Sequence, residues 1–287
     1  MHSAEPTSSS QAYTDEQVSS STINETMSSI VSTTAPAAAI TTIFFDCDNT
    51  LVDTETIAIE AADTVINCVL SDKSIPKSYT IEQLIAKYFG LTARQMILEL
   101  QKELNFPLTP EEIKSYTFFE EDLIIDLLHA NPRPCTGIQD ILARLHAEGE
   151  YNLAVVSSSP IRRIRAALEA CNLAQYFAPT QVFSAKSSMP TPKSKPDSAI
   201  YHFAMAQNSV RPDQCVAFED SRSGARSAVN AGIRTVAYVG TYGIVWQREQ
   251  VAQTLLGEGC EMVMEDYGEF WKCLGEVERK SRDGAKQ

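Results

Sequence analysis

Residues 40–53 read Ile40-Thr41-Thr42-Ile43-Phe44-Phe45-Asp46-Cys47-Asp48-Asn49-Thr50-Leu51-Val52-Asp53. The β-branched and aromatic run over residues 40–45 predicts a buried strand. It ends in two carboxylates, Asp46 and Asp48, followed by Thr50. Close like charges raise each other's pKa, so an apolar strand that finishes on paired acids calls for a cation or a chemical task. In parallel α/β folds such tasks gather at the carboxyl ends of strands, where this pair falls. A solvated strand end with an Asp-Asn turn would look the same over these few residues. The segments downstream decide between the two.

Beyond residue 152, strand and helix patterns alternate. Apolar strands are predicted at 153–156, 181–183, 215–218, 234–239 and 261–264. Helices are predicted near 161–171, 197–207, 224–231 and 247–256, the third closed by Gly232 in the position of a C′ cap. This rhythm predicts an α/β fold with a doubly wound parallel sheet, a Rossmann-like core.

Residues 54–131 break the rhythm and read as helix throughout. Ala58, Ala61, Ala62, Val65 and Val69 form one apolar stripe. Thr80…Gln83, Thr92…Gln95 and Thr109-Pro110-Glu111-Glu112 have capping-box spacing, the last with Pro at the first helical position. Pro132, Pro134 and Gly137 mark the return. The expected organisation is therefore a core over 40–53 and 132–280, with an all-helical cap domain inserted over 54–131. Connections near 53–57 and 131–136 would form its hinge.

Four groups fall at the ends of successive predicted strands or just beyond: Asp46 to Thr50, Ser157, Lys195, and Glu219-Asp220. A parallel sheet brings such ends to one crevice. The pattern resembles the haloacid dehalogenase superfamily of phosphohydrolases, in the branch with a small helical cap after the first strand. The resemblance covers residues 40–270, and the stretch from Glu219-Asp220-Ser221 to Ala231-Gly232 is very similar to that family's last motif. It implies that Asp46 is a nucleophile forming an aspartyl-phosphate and that Asp48 is the general acid–base. It also implies Mg²⁺ held by Asp46, Glu219, Asp220 and the main-chain carbonyl of Asp48. Thr50, Ser157, Ser158 and Lys195 would then bind phosphate. Asp48 favours a phosphate ester, since the dehalogenase and phosphonatase branches lack an Asp there. Arg94, with Lys87, lies where related caps carry a substrate-contacting loop, and a solvated helix residue is an equal reading.

Two positions depart from the pattern. Asn49 stands where the family usually has Gly, and Asn tolerates the left-handed conformation. After Lys195-Pro196 the chain reads Asp197-Ser198-Ala199, which displaces the usual Asp. His129, His146 and His202 lack metal-ligand spacing and read as structural.

Composition sets the outer limits. The net charge of −13 argues against nucleic acid or anionic membrane as a main partner. The seven cysteines are scattered, with no C-x-x-C, and read as buried thiols in a reducing compartment. Residues 1–39 hold ten Ser and six Thr with no Lys or Arg. They read as a disordered tail without secretory or transit features. A cytoplasmic protein is expected, with the nucleus also open. The expected enzyme is a phosphatase for a small phosphorylated metabolite, a sugar or polyol phosphate, working as a monomer or weak dimer. The alternatives are a phosphomutase similar to beta-phosphoglucomutase, and a non-catalytic regulatory protein that kept the fold.

Overall fold

The computed structural model describes residues 39–88, 91–243 and 245–284. The expected tail lies outside the described residues, apart from Ala39. Six strands form one parallel sheet: β1 (Thr42–Phe45), β2 (Asn152–Ser157), β3 (Val182–Ser184), β4 (Cys215–Glu219), β5 (Arg234–Tyr238) and β6 (Met262–Met264). Their spatial order is β3-β2-β1-β4-β5-β6. The chain therefore builds outward from β1 to β3, then returns to β4 on the other side. The switch point lies between β1 and β4, and in such sheets the crevice for ligands opens there.

Side chains alternate across β1. Phe45 and Ile43 point into one core with Val155, Phe218 and Val236, while Phe44 joins Ala154, Val156 and Ala217 on the other face. Phe45 stacks on Phe218 with centroids 5.4 Å apart, and Phe218 stacks on Phe270 at 4.8 Å. Burying one such ring stabilises by about 1.5–3 kcal/mol. These rings anchor the residue before Asp46 rigidly. The first face is covered by α5 (Ile138–Glu148), α6 (Ile161–Ala170) and α10 (Phe270–Gly284). The second carries α7 (Ala199–Asn208) and α8 (Arg222–Asn230), and α9 (Val245–Gly257) packs beside α8 and β5. Helices α5 and α10 lie outside the stretches read as helix from the sequence.

Between β1 and β2 the chain forms α1 (Glu55–Asp72), α2 (Ile81–Tyr88), α3 (Ala93–Leu104) and α4 (Pro110–Ala130). Thr92 and Thr109 make the expected capping boxes. Thr80 and Gln83 exchange the same two hydrogen bonds at 3.0 and 3.4 Å. These helices hold their own apolar cluster around Val69, Leu84, Ile97 and Leu100. The first turns of α1 (Ile57, Ala61) and the last of α4 (Ile124, Leu128) instead belong to the main core. The two connections are tied together, since Asp53 N donates to Arg133 O at 2.8 Å and Cys135 N to Leu51 O at 3.0 Å. Among the described residues no helix is long and apolar enough to cross a membrane.

Candidate active site

Asp46 N donates to Phe218 O at 3.0 Å, so the β1–β4 ladder runs one residue past the strand and delivers Asp46 beside the end of β4. The chain then turns sharply. Asn49 is left-handed at φ 57°, as the sequence allowed, and its Oδ1 accepts from Thr54 N and Glu55 N at 3.1 Å each. The residue in glycine's place thus caps α1 as well as making the turn.

Lys195 comes from the loop between β3 and α7 and is buried. Its ammonium donates to Asp46 Oδ1 at 2.6 Å, Glu219 Oε1 at 2.6 Å and Val156 O at 2.7 Å. All three protons are used. Tyr201 of α7 also donates to Glu219 Oε1. Burial pushes the Asp46 carboxyl up to about 7; the Lys195 ammonium opposes this, and the Glu219 and Asp48 carboxylates add to it. Burial also pushes Asp220 well above the carboxylate range, reinforced by Asp46 and Glu219. Burial works against the charge on Lys195, but those carboxylates outweigh it and hold the ammonium above its ordinary value.

Asp46, Glu219 and Asp220 are all buried, with one oxygen of each within 4.8 Å of the others. One ammonium faces three carboxylates. Glu219 Oε2 is buried without a hydrogen-bond partner among the described residues. An all-oxygen set with uncompensated negative charge fits a hard divalent cation such as Mg²⁺ rather than a softer metal.

Gly224 in α8 lies against Glu219. A Cβ there would stand 1.8 Å from Oε2 and 2.9 Å from Oε1. The carboxylate is fully buried and pinned by Lys195 and Tyr201, so it cannot swing aside freely. Exchanging a helical Gly for Ala ordinarily stabilises by about 0.5–1 kcal/mol. Gly224→Ala should do the reverse, by about 1–3 kcal/mol, as overpacking does. Thermal unfolding measures this, and an unchanged or raised Tm would contradict the packing.

Ser157 Oγ is buried at the end of β2 and accepts from Ser159 N at 3.1 Å. Ser158 Oγ accepts from Lys195 N at 3.2 Å, fixing the lysine loop to the β2 end. Thr50 Oγ1 is buried without a partner among the described residues. Asp48 is held by three donors. Arg163 Nη2 lies 2.6 Å and Thr54 Oγ1 2.9 Å from its Oδ1, and Ser159 Oγ lies 2.6 Å from its Oδ2. Burial would raise the Asp48 carboxyl, but Arg163 and these hydroxyls hold it below its ordinary range. The displaced Asp197 accepts from Ala199 N at 2.9 Å and so opens α7 instead of touching Lys195.

The strand ends thus gather Asp46, Ser157, Glu219 and Asp220, with Asp48, Thr50, Ser158 and Lys195 on the adjoining loops. Arg94 stands apart. It lines a cleft of about 390 Å³ between α3 and α4, beside Ile113, Phe118 and Glu121. Lys87 pairs with Glu103 inside the helical insertion. A larger cavity of about 830 Å³ opens on Asp220, walled by Ile85 of α2, Arg226 of α8, Tyr242, and Trp246 and Gln250 of α9.

Sequence reasoning missed Arg163, Thr54, Tyr201 and Gly224 as parts of this site. Arg163 and Asp48 are 115 residues apart, and the local signal in α6 is only that cations occupy its first turn, which names no partner.

A family model for haloacid dehalogenase-like hydrolases matches residues 43–238. The chain is 30% identical to a Thermotoga maritima protein named phosphorylated carbohydrates phosphatase, over 71% of this chain and 84% of that one. It is 27% identical to the 6-phosphogluconate phosphatase of Escherichia coli, over 68% of this chain and 80% of that one. Among solved structures, a haloacid dehalogenase-like protein of unknown function from Agrobacterium tumefaciens is similar at 25% identity and a TM-score of 0.64. That likeness covers 83% of this chain and 99% of the other.

Proposed function

Since the chain belongs to the haloacid dehalogenase-like hydrolases, we propose that it is a Mg²⁺-dependent phosphatase for a small phosphorylated carbohydrate or polyol. The reading rests above all on Asp46, a buried carboxylate at the sheet's switch point, 2.6 Å from the Lys195 ammonium and clustered with Glu219 and Asp220. The names of the Thermotoga and Escherichia relatives support the substrate class.

In this mechanism the hydroxyls of Ser157 and Thr50 receive the phosphoryl oxygens, joined by the Lys195 ammonium as it exchanges the Val156 carbonyl for one of them. Asp46 attacks phosphorus, and the bond to the leaving alkoxide breaks as the aspartyl-phosphate forms. Asp48, ionised beside Arg163 in this arrangement, must first take up a proton, which it then gives to that alkoxide. Asp48 then takes a proton from a water molecule, which attacks phosphorus and frees Asp46 and inorganic phosphate. Glu219 keeps Lys195 aimed at Asp46. A bound Mg²⁺ would be held by Asp46, Asp220, Glu219 and the carbonyl of Asp48, and would offset the repulsion between carboxylate and phosphate dianion. Helices α1 to α4 serve as the cap, and the cavity of about 830 Å³ beside Asp220 accommodates the leaving group.

The test is a phosphate-release screen over sugar phosphates, polyol phosphates, nucleotides and p-nitrophenyl phosphate. Release should be fastest with a sugar or polyol phosphate. It should vanish in EDTA and return with Mg²⁺, with Ca²⁺ substituting poorly because its coordination is larger and looser. Full activity in metal-free buffer, or conversion of a hexose 1-phosphate into its isomer without phosphate release, would overturn the reading.

A further inference from the structure

Arg163 lies in the first turn of α6, a place that disfavours cations because the helix macrodipole puts partial positive charge there. Arg162 precedes it, and no acidic residue occupies that turn. Arg163 Nη2 is nevertheless seated on Asp48 Oδ1 at 2.6 Å, with the two side chains only 16% and 24% exposed. Its Nε is buried without a hydrogen-bond partner among the described residues. A guanidinium that served stability alone would not be expected to leave a donor orphaned, since each unmet buried donor costs about 1–3 kcal/mol. An ion pair drawn this far out of water is also weak evidence for stability.

The geometry offers another purpose. Thr54 and Ser159 are neutral donors on short side chains, from the cap junction and from the end of β2. Arg163 is the charged donor on Asp48 and comes from a different element. Together the three fix both carboxylate oxygens. Glu120 of α4 also feels the charge of Arg163. The neighbouring Arg162 pairs with Asp122 and Glu121 of the same helix at 2.9 and 3.5 Å. The first turn of α6 therefore joins the catalytic loop to the insertion.

We propose that Arg163 is a positioning residue for Asp48, holding that carboxylate in place for proton exchange with the leaving group. The proposal rests on the phosphatase reading and on Asp48 as its acid. A misplacement of about 1 Å in a reacting group can cost 10²-fold in rate. The loss should appear where the acid is needed. A sugar alkoxide leaves poorly without a proton, whereas p-nitrophenolate leaves well without one.

The experiment compares burst-phase phosphorylation of Asp46 by the fastest sugar phosphate of the screen and by p-nitrophenyl phosphate. It uses the full chain with Mg²⁺ and the variants Arg163→Ala, Arg163→Lys, Arg162→Ala and Asp48→Asn. Arg163→Ala should slow the sugar phosphate about 10²-fold and p-nitrophenyl phosphate far less, with Arg163→Lys recovering part of the difference. Arg162→Ala, which removes the neighbouring tie to α4 alone, should discriminate little. If Arg163→Ala does not fold, Arg163→Gln answers the same question. Equal slowing of both substrates, or no slowing, overturns the proposal. Asp48→Asn separates the two ideas. If it discriminates while the Arg163 variants do not, only the role of Arg163 fails; if it does not discriminate, the acid assignment fails and the proposal with it.

Discussion

Asp46→Asn should lose phosphate release by at least about 10⁴-fold, the scale seen when a covalent nucleophile is removed. Amide nitrogen and oxygen cannot form the acyl-phosphate, and among the described residues no other carboxylate at the end of β1 contacts Lys195. The fold should persist, because the amide oxygen can still accept from Lys195 and Phe45 remains packed on Phe218. Stability gives a second readout with a defined sign. Burial raises the Asp46 carboxyl to about 7. A carboxyl raised in the fold binds a proton there that the unfolded chain has already lost. Its contribution is therefore full below the ordinary carboxylate value and is lost as pH rises through about 7. Asparagine has nothing to titrate. In EDTA at pH 8 the variant should unfold at a temperature no lower than the wild type, and its Tm should fall less between pH 5 and 8. Phosphate release and thermal unfolding in EDTA measure both effects. Turnover near wild type would remove Asp46 from the nucleophile's role.

Much of this site was legible because its parts sit at strand ends, and strand ends are set by local pattern. The apolar run before Asp46, the alternation after residue 152 and the capping boxes of the insertion all follow from periods of two and 3.6 residues. Topology then brings Asp46, Ser157 and Asp220 together without further information. The second layer was not legible. Arg163 reaches Asp48 across 115 residues of chain, and Tyr201 reaches Glu219 from the middle of α7. Each reads locally as one more helical residue. Gly224 resembles an ordinary weak helix former until the carboxylate of Glu219 is seen against its Cα. Arg94 shows the converse: a plausible offset in the sequence, and a side chain that faces the cleft of α3 and α4 rather than the carboxylates.

Lys195→Met should be the most damaging change to the site's stability, and it should slow the reaction as well. The ammonium holds Asp46 and Glu219 at 2.6 Å each, with side-chain exposures of 3% for the lysine, 9% for Asp46 and none for Glu219. Removing one partner from a buried ion pair costs about 3–5 kcal/mol, because the stranded charges remain out of water. Asp46 and Asp220, already raised by burial, would be raised further. By the same sign argument the loss of Tm should be small at pH 5, where the carboxyls can take up protons, and large at pH 8. Activity should fall about 10²–10³-fold, the usual effect of deleting one preorganised donor to a developing charge. Added Mg²⁺ should restore part of the Tm, since a cation among the same carboxylates supplies the missing charge. It should not restore kcat, which needs a donor aimed at the phosphoryl oxygens. Adding Glu219→Gln should recover stability relative to the single variant, because one stranded carboxylate is gone, and the coupling of neighbours makes this gain non-additive. Thermal unfolding at the two pH values, with and without Mg²⁺, and steady-state phosphate release test the whole set. A Lys195→Met protein with unchanged Tm at pH 8 would mean that the three carboxylates do not depend on the lysine for their charge balance. The arrangement argued for Asp46 would then fail with it.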